Sequence, residues 1–273
     1  MSESSKIAWT DSTFNPWRIC TPIGPGCDGC YAAAMGRRFG LEYKQGVPRI
    51  RTGEAYWKQP LTWNRKAAKS GEPWRVFCAS LADVFDNEAP DEWRTDLWKL
   101  INATPHLSWL LVTKRIGNVA KMLPRFDGGF VYVPDNVRIL ITVVNQEEAD
   151  RDIPKLLALP CKNGISYEPA LGPVDWREWM SVKTLGFFPR HVEWIIVGGE
   201  SDQAGSKARP FAVDWARSTI WQCRAAGVPV FIKQIGSNPF ESGFPHLRLV
   251  EDRAGADPAE WVDDLRVREF PNA

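Results

Sequence analysis

The chain has 273 residues, of which 44% are hydrophobic and 25% are charged, a composition typical of a globular protein. Its 34 Lys and Arg nearly balance 33 Asp and Glu, so net charge alone does not indicate a nucleic-acid-binding protein. Six cysteines in so long a chain argue against a disulfide scaffold. Without a membrane-spanning run or a signal-peptide pattern, we expect a cytoplasmic protein with no membrane partner.

Short apolar runs alternate with amphipathic stretches along the chain. The pattern predicts strands at 7–9, 74–79, 109–113, 137–144, 164–167, 194–197 and 228–233, and helices at 90–103, 116–123, 147–159 and 213–226. Near-continuous apolar strands separated by helices indicate an α/β fold whose parallel sheet is covered on both faces. Seven such units predict a partial or near-complete (β/α) barrel. A doubly wound open sheet is the alternative, although the first turn carries no glycine-rich dinucleotide fingerprint.

We expect two parts in the chain. Residues 1–240 would form the barrel, with an N-terminal cysteine loop and a basic and aromatic insertion near 37–75. Residues 241–273 would form a C-terminal extension packed on the barrel.

Polar side chains follow each predicted strand, at positions where packing of the apolar core does not require them. Because ligands of such barrels bind at the carboxyl ends of the strands, these side chains predict one converging pocket. The candidates are Ser80, Asp83, Lys114, Arg115, Asn145, Glu168, Gly198, Gly199, Glu200 and Lys233.

The most informative motif is a C-x6-C-x2-C cluster near the N-terminus, formed by Cys20, Cys27 and Cys30. Three thiolates without an obvious fourth ligand indicate a metal centre with an open coordination position, since structural zinc sites normally close with four protein ligands. The last cysteine opens a predicted helix, whose N-terminus favours thiolate over thiol. The other three cysteines are expected to be buried thiols.

The cysteine motif and its surroundings resemble the radical S-adenosylmethionine superfamily. More closely, they resemble a phage- and bacteria-associated three-Cys-motif family of unknown function that is similar to spore photoproduct lyase. The resemblance covers most of the chain, through segments 7–11, 14–16, 20–31, 111–115, 166–173, 197–201, 208–210 and 231–234. It would place the protein in the cytoplasm of a bacterial cell or a phage-infected host.

This resemblance implies a [4Fe–4S] cluster on Cys20, Cys27 and Cys30, with S-adenosylmethionine bound to the fourth iron. One-electron reduction would then cleave the cofactor to a 5′-deoxyadenosyl radical that abstracts a substrate hydrogen, so a one-electron reductant is an expected partner. The chain departs from the superfamily in two respects. Its loop is three residues longer than the commonest spacing, and Ala79–Asp83 stands where a glycine-rich contact is usual.

Glu200 and Lys114 are the predicted catalytic residues. A carboxylate on the Gly198–Gly199 turn could hold a ribose hydroxyl or an amino group, whereas the alternative is a cap or an ion pair with Arg209. Lys114, Arg115 and Lys233 could hold a phosphate or a carboxylate. Predicted cofactor contacts are Ser80, Asp83, Asn145, Glu168, Gly198, Gly199, Glu200 and Lys233, with Ser80, Asp83 or Lys114 replacing the missing glycine-rich element.

Two other interpretations remain open. A zinc-bearing nucleic-acid-binding module could take its fourth ligand from Cys78, His106, His191 or His246, none of which lies at a short metal-ligand spacing from the triad. A barrel hydrolase could use a Glu168/Glu200 carboxylate pair, but it would leave the cysteines unexplained.

The segment from Arg37 to Arg75 suggests a substrate class. It carries ten basic residues against three acidic ones, interleaved with Tyr43, Tyr56, Trp57 and Trp63. Basic side chains among aromatic ones suit phosphate contact and base stacking, so a nucleotide or nucleic-acid base is the predicted substrate, for repair or modification. Binding would then weaken with salt and be abolished by charge reversal at Arg49, Arg51 and Lys58. A solvated helical surface is the alternative interpretation.

Overall fold

A computed structural model of the protein describes residues 5–125, 131–181, 183–185, 188–241 and 251–271. In chain order its strands are β1 Ser12–Thr13, β2 Trp17–Arg18, β3 Ile50–Arg51, β4 Trp74–Cys78, β5 Leu107–Thr113, β6 Val137–Thr142, β7 Lys162–Tyr167, β8 Lys183–Leu185, β9 Phe188–Arg190, β10 Ile195–Gly198, β11 Phe211–Ala212, β12 Val230–Gln234 and β13 Pro239–Phe240. Its α-helices are α1 Tyr31–Arg37, α2 Glu54–Trp57, α3 Gln59–Ser70, α4 Asp91–Asn102, α5 Ile116–Met122, α6 Gln146–Leu157, α7 Arg177–Met180 and α8 Val213–Ala226.

Seven strands form one sheet in the order β1-β4-β5-β6-β7-β10-β12, and the sheet is curled into a half-barrel. Every neighbouring pair is parallel, and the helices α4, α5, α6 and α8 lie in the connections between strands. The predicted α/β fold with a partial barrel is therefore confirmed. Most residues of its central strands are buried, as expected of a sheet whose two faces are both covered.

The first strand lies later in the chain than predicted. Residues 7–10 form a turn closed by a 3.1 Å hydrogen bond from Thr10 N to Ile7 O, and pairing with β4 begins only at Ser12. Trp9 is 2% exposed and packs against Phe77 and Trp194. The Trp9 side chain therefore packs over the sheet, and its backbone does not lengthen the first strand.

Alternate strand residues face opposite sides of the sheet, and the two sides have different roles. The outer side packs on the helices and forms the main core. The inner side carries a separate apolar cluster toward the amino half of the strands, composed of Trp9, Leu110, Leu140, Trp194, Ile196 and Phe231. Burying each such side chain stabilises the fold by about 1.5–3 kcal/mol. Two residues further along β6 and β12, the inner side becomes polar at Thr142 and Lys233.

The C-terminal residues are bonded to the last strand of the sheet. Ile232 N donates to Val267 O at 2.8 Å, and Glu269 N donates to Val230 O at 3.0 Å. Trp261 and Leu265 are buried in the main core. The predicted division of the chain at residue 240 stays a prediction. In the described ranges, no helix is both long and apolar enough to cross a membrane.

Candidate functional site

The three cysteines of the motif lie on one loop at the carboxyl end of the half-barrel. Cys20 follows β2, Cys27 ends a short 3-10 turn, and Cys30 is the N-cap residue of α1. All three are free and half-buried. Burial, followed by the negative charge of Asp83, raises the pKa of Cys20 to about 12, and Cys30 and Cys27 add to this shift. Cys27 and Cys30 are thus near enough to Cys20 to affect its pKa.

Two glycines let this cysteine loop lie flat across the strand ends. A Cβ atom on Gly26 would lie 3.0 Å from Val144 Cγ1 and 3.1 Å from Lys114 Cε. A Cβ atom on Gly29 would overlap the carboxylate of Glu200. A larger residue at Gly26 would press on Val144 and Lys114, and one at Gly29 would displace the Glu200 carboxylate or the loop. Because these two positions carry no side chains, the loop and its cysteines can pack close to the strand ends.

The three cysteines are the residues of the site that could hold a metal group. Across the described residues, no three His, Cys, Asp or Glu side chains converge as a single bound ion would require. In a cubane cluster each thiolate binds a different iron, so the ligands surround the cluster rather than one ion. Three free thiols on a glycine-flanked loop could serve as ligands of such a cluster.

Glu200 is held by an ion pair beneath the cysteine loop. Its side chain is 9% exposed, and Arg209 donates to both carboxylate oxygens, from Nε at 2.9 Å and from Nη2 at 2.5 Å. Arg209 Nη1 also lies 3.2 Å from Asp28 of the loop. The ion-pair alternative for Glu200 is therefore what the structure shows. The carboxylate orients the loop, whereas its predicted catalytic role stays a prediction.

Lys114 is a cation of the site that forms no ion pair among the described residues. Its half-buried side chain runs beneath Gly26, and its Nζ lies 3.3 Å from Thr142 Oγ1. No carboxylate in the described part of the chain forms an ion pair with it. Glu148 interacts with its charge from beyond ion-pair distance, and a half-buried ammonium group that no carboxylate contacts directly favours an anionic ligand.

Glu168 and Lys233 form a second charged pair on the inner side of the half-barrel. Lys233 Nζ lies 3.0 Å from Glu168 Oε1, although this contact lacks hydrogen-bond geometry and leaves that oxygen without a hydrogen bond. The Glu168 side chain is 16% exposed and that of Lys233 is 25% exposed. The carboxylate oxygen therefore still has capacity to accept a hydrogen bond from a ligand.

Three other predicted contacts already have local structural roles. Asp83 accepts hydrogen bonds from Thr113 Oγ1, from the main-chain nitrogens of Phe85 and Lys114, and from Arg115. Asn145 is the N-cap of α6, accepting from the main-chain nitrogen at 148 at 3.0 Å. Ser80 exchanges hydrogen bonds with the side chain at 15. Their predicted contacts with a cofactor stay predictions.

Arg115 does not project into the pocket as expected. It is 9% exposed, lies 3.1 Å from Asp83 and 3.8 Å from Asp86, and donates to Thr21 O. Buried carboxylates compensate its charge, so it ties the segment after Cys20 to the end of β5. The expectation that it holds a substrate phosphate is corrected on this ground.

The glycines of the Gly198–Gly199 turn permit close approach by protein groups. A Cβ atom on Gly198 would overlap the Glu168 carboxylate, and one on Gly199 would lie 2.6 Å from Ile235 O. Both positions thus require glycine for packing within the chain. Their predicted contact with a cofactor is not tested by this packing.

Sequence reasoning assigned no role to Asn15 or to the hydroxyl of Tyr31. Asn15 is 1% exposed, and its Oδ1 accepts from Leu81 N at 2.7 Å. The Tyr31 hydroxyl donates to Ser80 O. Both residues fasten the cysteine loop region to the segment after β4. An asparagine directly before a proline and a tryptophan was the only available signal.

Part of the basic segment near 37–75 is committed to the protein's own structure. The Arg49 side chain is fully buried, 2.7 Å from Asp86, and Arg51 pairs with Asp96 while stacking on Trp57. Trp63 is 3% exposed. The expected basic and aromatic surface therefore loses Arg49 and Trp63, but Lys58 and six other basic side chains of the segment are exposed, and the surface stays a prediction.

The zinc alternative gains no fourth ligand from the described residues. His106 lines a cleft of about 800 Å³ at the amino ends of the strands, opposite the cysteine loop. Cys78 is completely buried, which raises its pKa well above the usual value. His191 precedes β10, at the amino end of that strand, and His246 lies outside the described residues. The hydrolase alternative weakens too, since Glu168 and Glu200 each have their own cation.

Comparison with solved structures finds spore photoproduct lyase at low sequence identity. A cysteine-to-serine mutant of that protein matches with a TM-score of 0.45 and 13% identity, covering 77% of this chain and 58% of the other. A double mutant with bound AdoMet and dinucleoside spore photoproduct matches with a TM-score of 0.44 and 12% identity, covering 86% and 59%. This chain thus spans less than two thirds of those structures.

Comparison with sequences finds one family. No curated protein matches the chain significantly. A family model described as "Protein of unknown function (DUF5131)" matches residues 4–259, which is most of the chain. The protein therefore belongs to the DUF5131 family.

Proposed function

We propose that the protein is a radical S-adenosylmethionine enzyme whose [4Fe–4S] cluster is bound by Cys20, Cys27 and Cys30. The observation that carries this proposal is the position of three free thiols on a loop that Gly26 and Gly29 hold across the carboxyl ends of a parallel half-barrel. When bound, the cluster and S-adenosylmethionine would supply one-electron chemistry that leads to abstraction of a substrate hydrogen atom.

The chain's own residues would bind and shield the reactants. Lys114, which no carboxylate of the described structure contacts directly, would hold a carboxylate or phosphate group. Glu168, which lies beside Lys233, would accept a hydrogen bond from an amino or hydroxyl group at its oxygen that has no hydrogen bond. The apolar cluster below them would exclude water from the amino half of the barrel.

We further propose a nucleotide or nucleic-acid base as the substrate. Lys114 and Lys233 line the inner carboxyl end of the sheet, where Glu168 pairs with Lys233 and Lys114 forms no ion pair among the described residues, although Glu148 interacts with its charge. Such a region suits a ligand that carries phosphate. The support therefore comes from the inner side of the half-barrel rather than from the basic segment that the sequence suggested.

The test is anaerobic iron–sulfur reconstitution followed by electron paramagnetic resonance of the reduced protein. We expect a [4Fe–4S]⁺ signal that shifts when S-adenosylmethionine is added. The signal should be lost in Cys27→Ala and retained in Cys161→Ala, a matched control because Cys161 is also half-buried but lies outside the motif. Stoichiometric zinc without a cluster would contradict the proposal and favour a zinc-bearing nucleic-acid-binding module.

A further inference from the structure

The cleft of about 800 Å³ at the amino ends of the strands lies opposite the cysteine loop. Its volume is within the range of about 300–1,000 Å³ that is typical of small-molecule sites. Leu110 and Trp194, which line the cleft, belong to the inner apolar cluster. Because β5 alone has seven residues, about 20 Å of strand separates the cleft from the carboxyl ends. The cleft is therefore distinct from the proposed cluster site.

Three cationic side chains line this cleft, at the amino ends of three strands. Arg75 belongs to β4, Arg138 to β6 and Lys162 to β7. Arg138 lies two residues before Leu140 of the inner apolar cluster, so it faces the inner side of the sheet. Lys162 is its register partner on the neighbouring parallel strand, and the two side chains leave the same face side by side. Like charges so placed repel each other, so packing alone does not account for this pair.

The protein neutralises the arginines of the cleft but not Lys162. Arg138 Nη1 donates to Glu193 Oε2 at 2.5 Å. Arg75 lies 3.6 Å from Asp11, and its guanidinium stacks on a phenylalanine ring. Lys162 is half-buried and forms no ion pair with a carboxylate in the described ranges. A half-buried ammonium group that no carboxylate contacts directly favours an anionic ligand.

The acidic residues of the cleft lie at its exposed rim. Glu72 and Asp135 line the cleft and are exposed, whereas Arg138 is buried and Lys162 is half-buried. The positive charges are therefore deeper than the negative ones. An anionic group would be attracted to the interior of the cleft rather than to its edge.

Aromatic rings form another part of the lining. Trp194 and Phe270 both line the cleft, and their ring centroids lie 5.8 Å apart. The indole nitrogen of Trp194 donates to Glu269 O at 3.0 Å, and the Arg75 guanidinium lies 3.9 Å from the centroid of the Phe270 ring. These contacts fix both rings. Apolar walls with a few placed polar groups are typical of sites for organic ligands, so an inorganic anion would use only part of the cleft.

We propose that this cleft binds an organic phosphate of about the size of a mononucleotide. Lys162 binds the phosphate group, while Trp194 and Phe270 contact the apolar part of the ligand. The binding is noncovalent and needs neither a metal cluster nor S-adenosylmethionine. The proposal is therefore independent of the proposed function.

The test is isothermal titration calorimetry on protein without a cluster, with AMP as the probe. Adenosine and inorganic phosphate should each bind at least about tenfold more weakly than AMP, since one lacks the charge and the other lacks the apolar part. Lys162→Met should raise the Kd for AMP about tenfold, and added salt should weaken binding to the wild type. Lys121→Met, which changes an exposed lysine outside the cleft, is the matched control and should bind AMP as the wild type does.

Two further measurements assign the binding to the cleft and separate it from a structural role. Lys114→Met, at the opposite end of the strands, should leave the Kd for AMP unchanged. Without ligand, Lys162→Met should be at least as stable in urea as the wild type, because it removes the repulsion from Arg138.

Several results would overturn the proposal. Loss of AMP binding in Lys114→Met but not in Lys162→Met would place the ligand elsewhere. Equal affinity for AMP and inorganic phosphate would contradict an organic ligand, and a destabilised Lys162→Met variant would mean that the lysine serves the fold. Wild-type protein that binds neither AMP nor phosphate at millimolar concentrations would also refute it.

Discussion

Glu200 and Arg209 form a doubly hydrogen-bonded ion pair on which the backbone of the cysteine loop rests. Burial would raise the pKa of Glu200, but the hydrogen bonds from the side chain and main chain of Arg209 outweigh it and lower that pKa. The carboxylate therefore stays ionised at neutral pH. Because Gly29 packs directly on it, this pair fixes the chain between Cys27 and Cys30.

Gly29→Ala should therefore disturb the cysteine loop more than the rest of the fold. The added methyl group would overlap the Glu200 carboxylate, which can move only by weakening its bonds to Arg209. We expect a loss of about 1–3 kcal/mol in unfolding free energy and less iron per chain after reconstitution. Gly117→Ala is the matched control, since a Cβ atom there would meet nothing within 4 Å. Equal iron content in the two variants would contradict this account of the loop.

Lys114→Met should weaken ligand binding without destabilising the fold. The substitution keeps the stem that lies under Gly26 and removes a charge that has no ion-pair partner among the described residues. We expect the Kd for S-adenosylmethionine or for a phosphate-bearing substrate to rise about tenfold, which corresponds to about 1.4 kcal/mol. Isothermal titration calorimetry measures this, and Lys121→Met on α5 is the control. An unchanged Kd for both ligands would remove the assigned role.

Glu168 and Lys233 should show coupling in a double-mutant cycle. Removing one member leaves a partly buried charge without its partner, whereas removing both does not. We therefore expect each single variant, Glu168→Gln or Lys233→Met, to lose more unfolding free energy than the double variant does. The coupling energy measured by urea unfolding should be about 1 kcal/mol. Additive effects would mean that the pair contributes little to stability.

Arg49→Glu should unfold the protein or destabilise it strongly, whatever its effect on nucleic acid. The guanidinium is fully buried between Asp86 and Glu88, so reversal would place a third carboxylate there. We expect a loss of at least about 3–5 kcal/mol in thermal or urea unfolding. Lys58→Glu, at an exposed position, should change stability by less than about 0.5 kcal/mol. Comparable stability of the two variants would show that Arg49 is not buried.

Cys20 should be slow to alkylate in protein without a cluster. Burial and the charge of Asp83 raise its pKa to about 12, so the thiol stays protonated at pH 8 and gains reactivity only as the pH rises toward that value. Iodoacetamide labelling followed by mass spectrometry should show slow modification of Cys20 in the folded protein and rapid modification in urea. Equally rapid labelling in both states would contradict the burial. A bound cation would reverse this preference for the thiol, since metal coordination deprotonates thiols.

The fold could be predicted because its signals are local. Strands β4 to β7, β10 and β12 are short apolar runs, and their buried faces follow from composition within a few residues. The polar residues after each strand were identified for the same reason. The strand expected at 7–9 was wrong because Trp9 gives the same apolar signal when it covers a sheet as when it extends one.

The site could be predicted only in part because its partners are distant in sequence. The Glu200–Arg209 pair spans nine residues and was foreseen as an alternative. The contact between Glu168 and Lys233 joins different strands, and the burial of Arg49 depends on Asp86 in the loop after β4. Charge counts along a segment cannot show which cations are already neutralised.

The C-terminal hydrogen bonds to β12 have a consequence for an incompletely closed barrel. An open sheet has two edge strands, and each can pair with a strand from another molecule. Here one edge is β1, whose two residues offer little to pair with, and the other is already occupied by Val267 and Glu269. The half-barrel can therefore remain open to a ligand without being open to edge-to-edge aggregation.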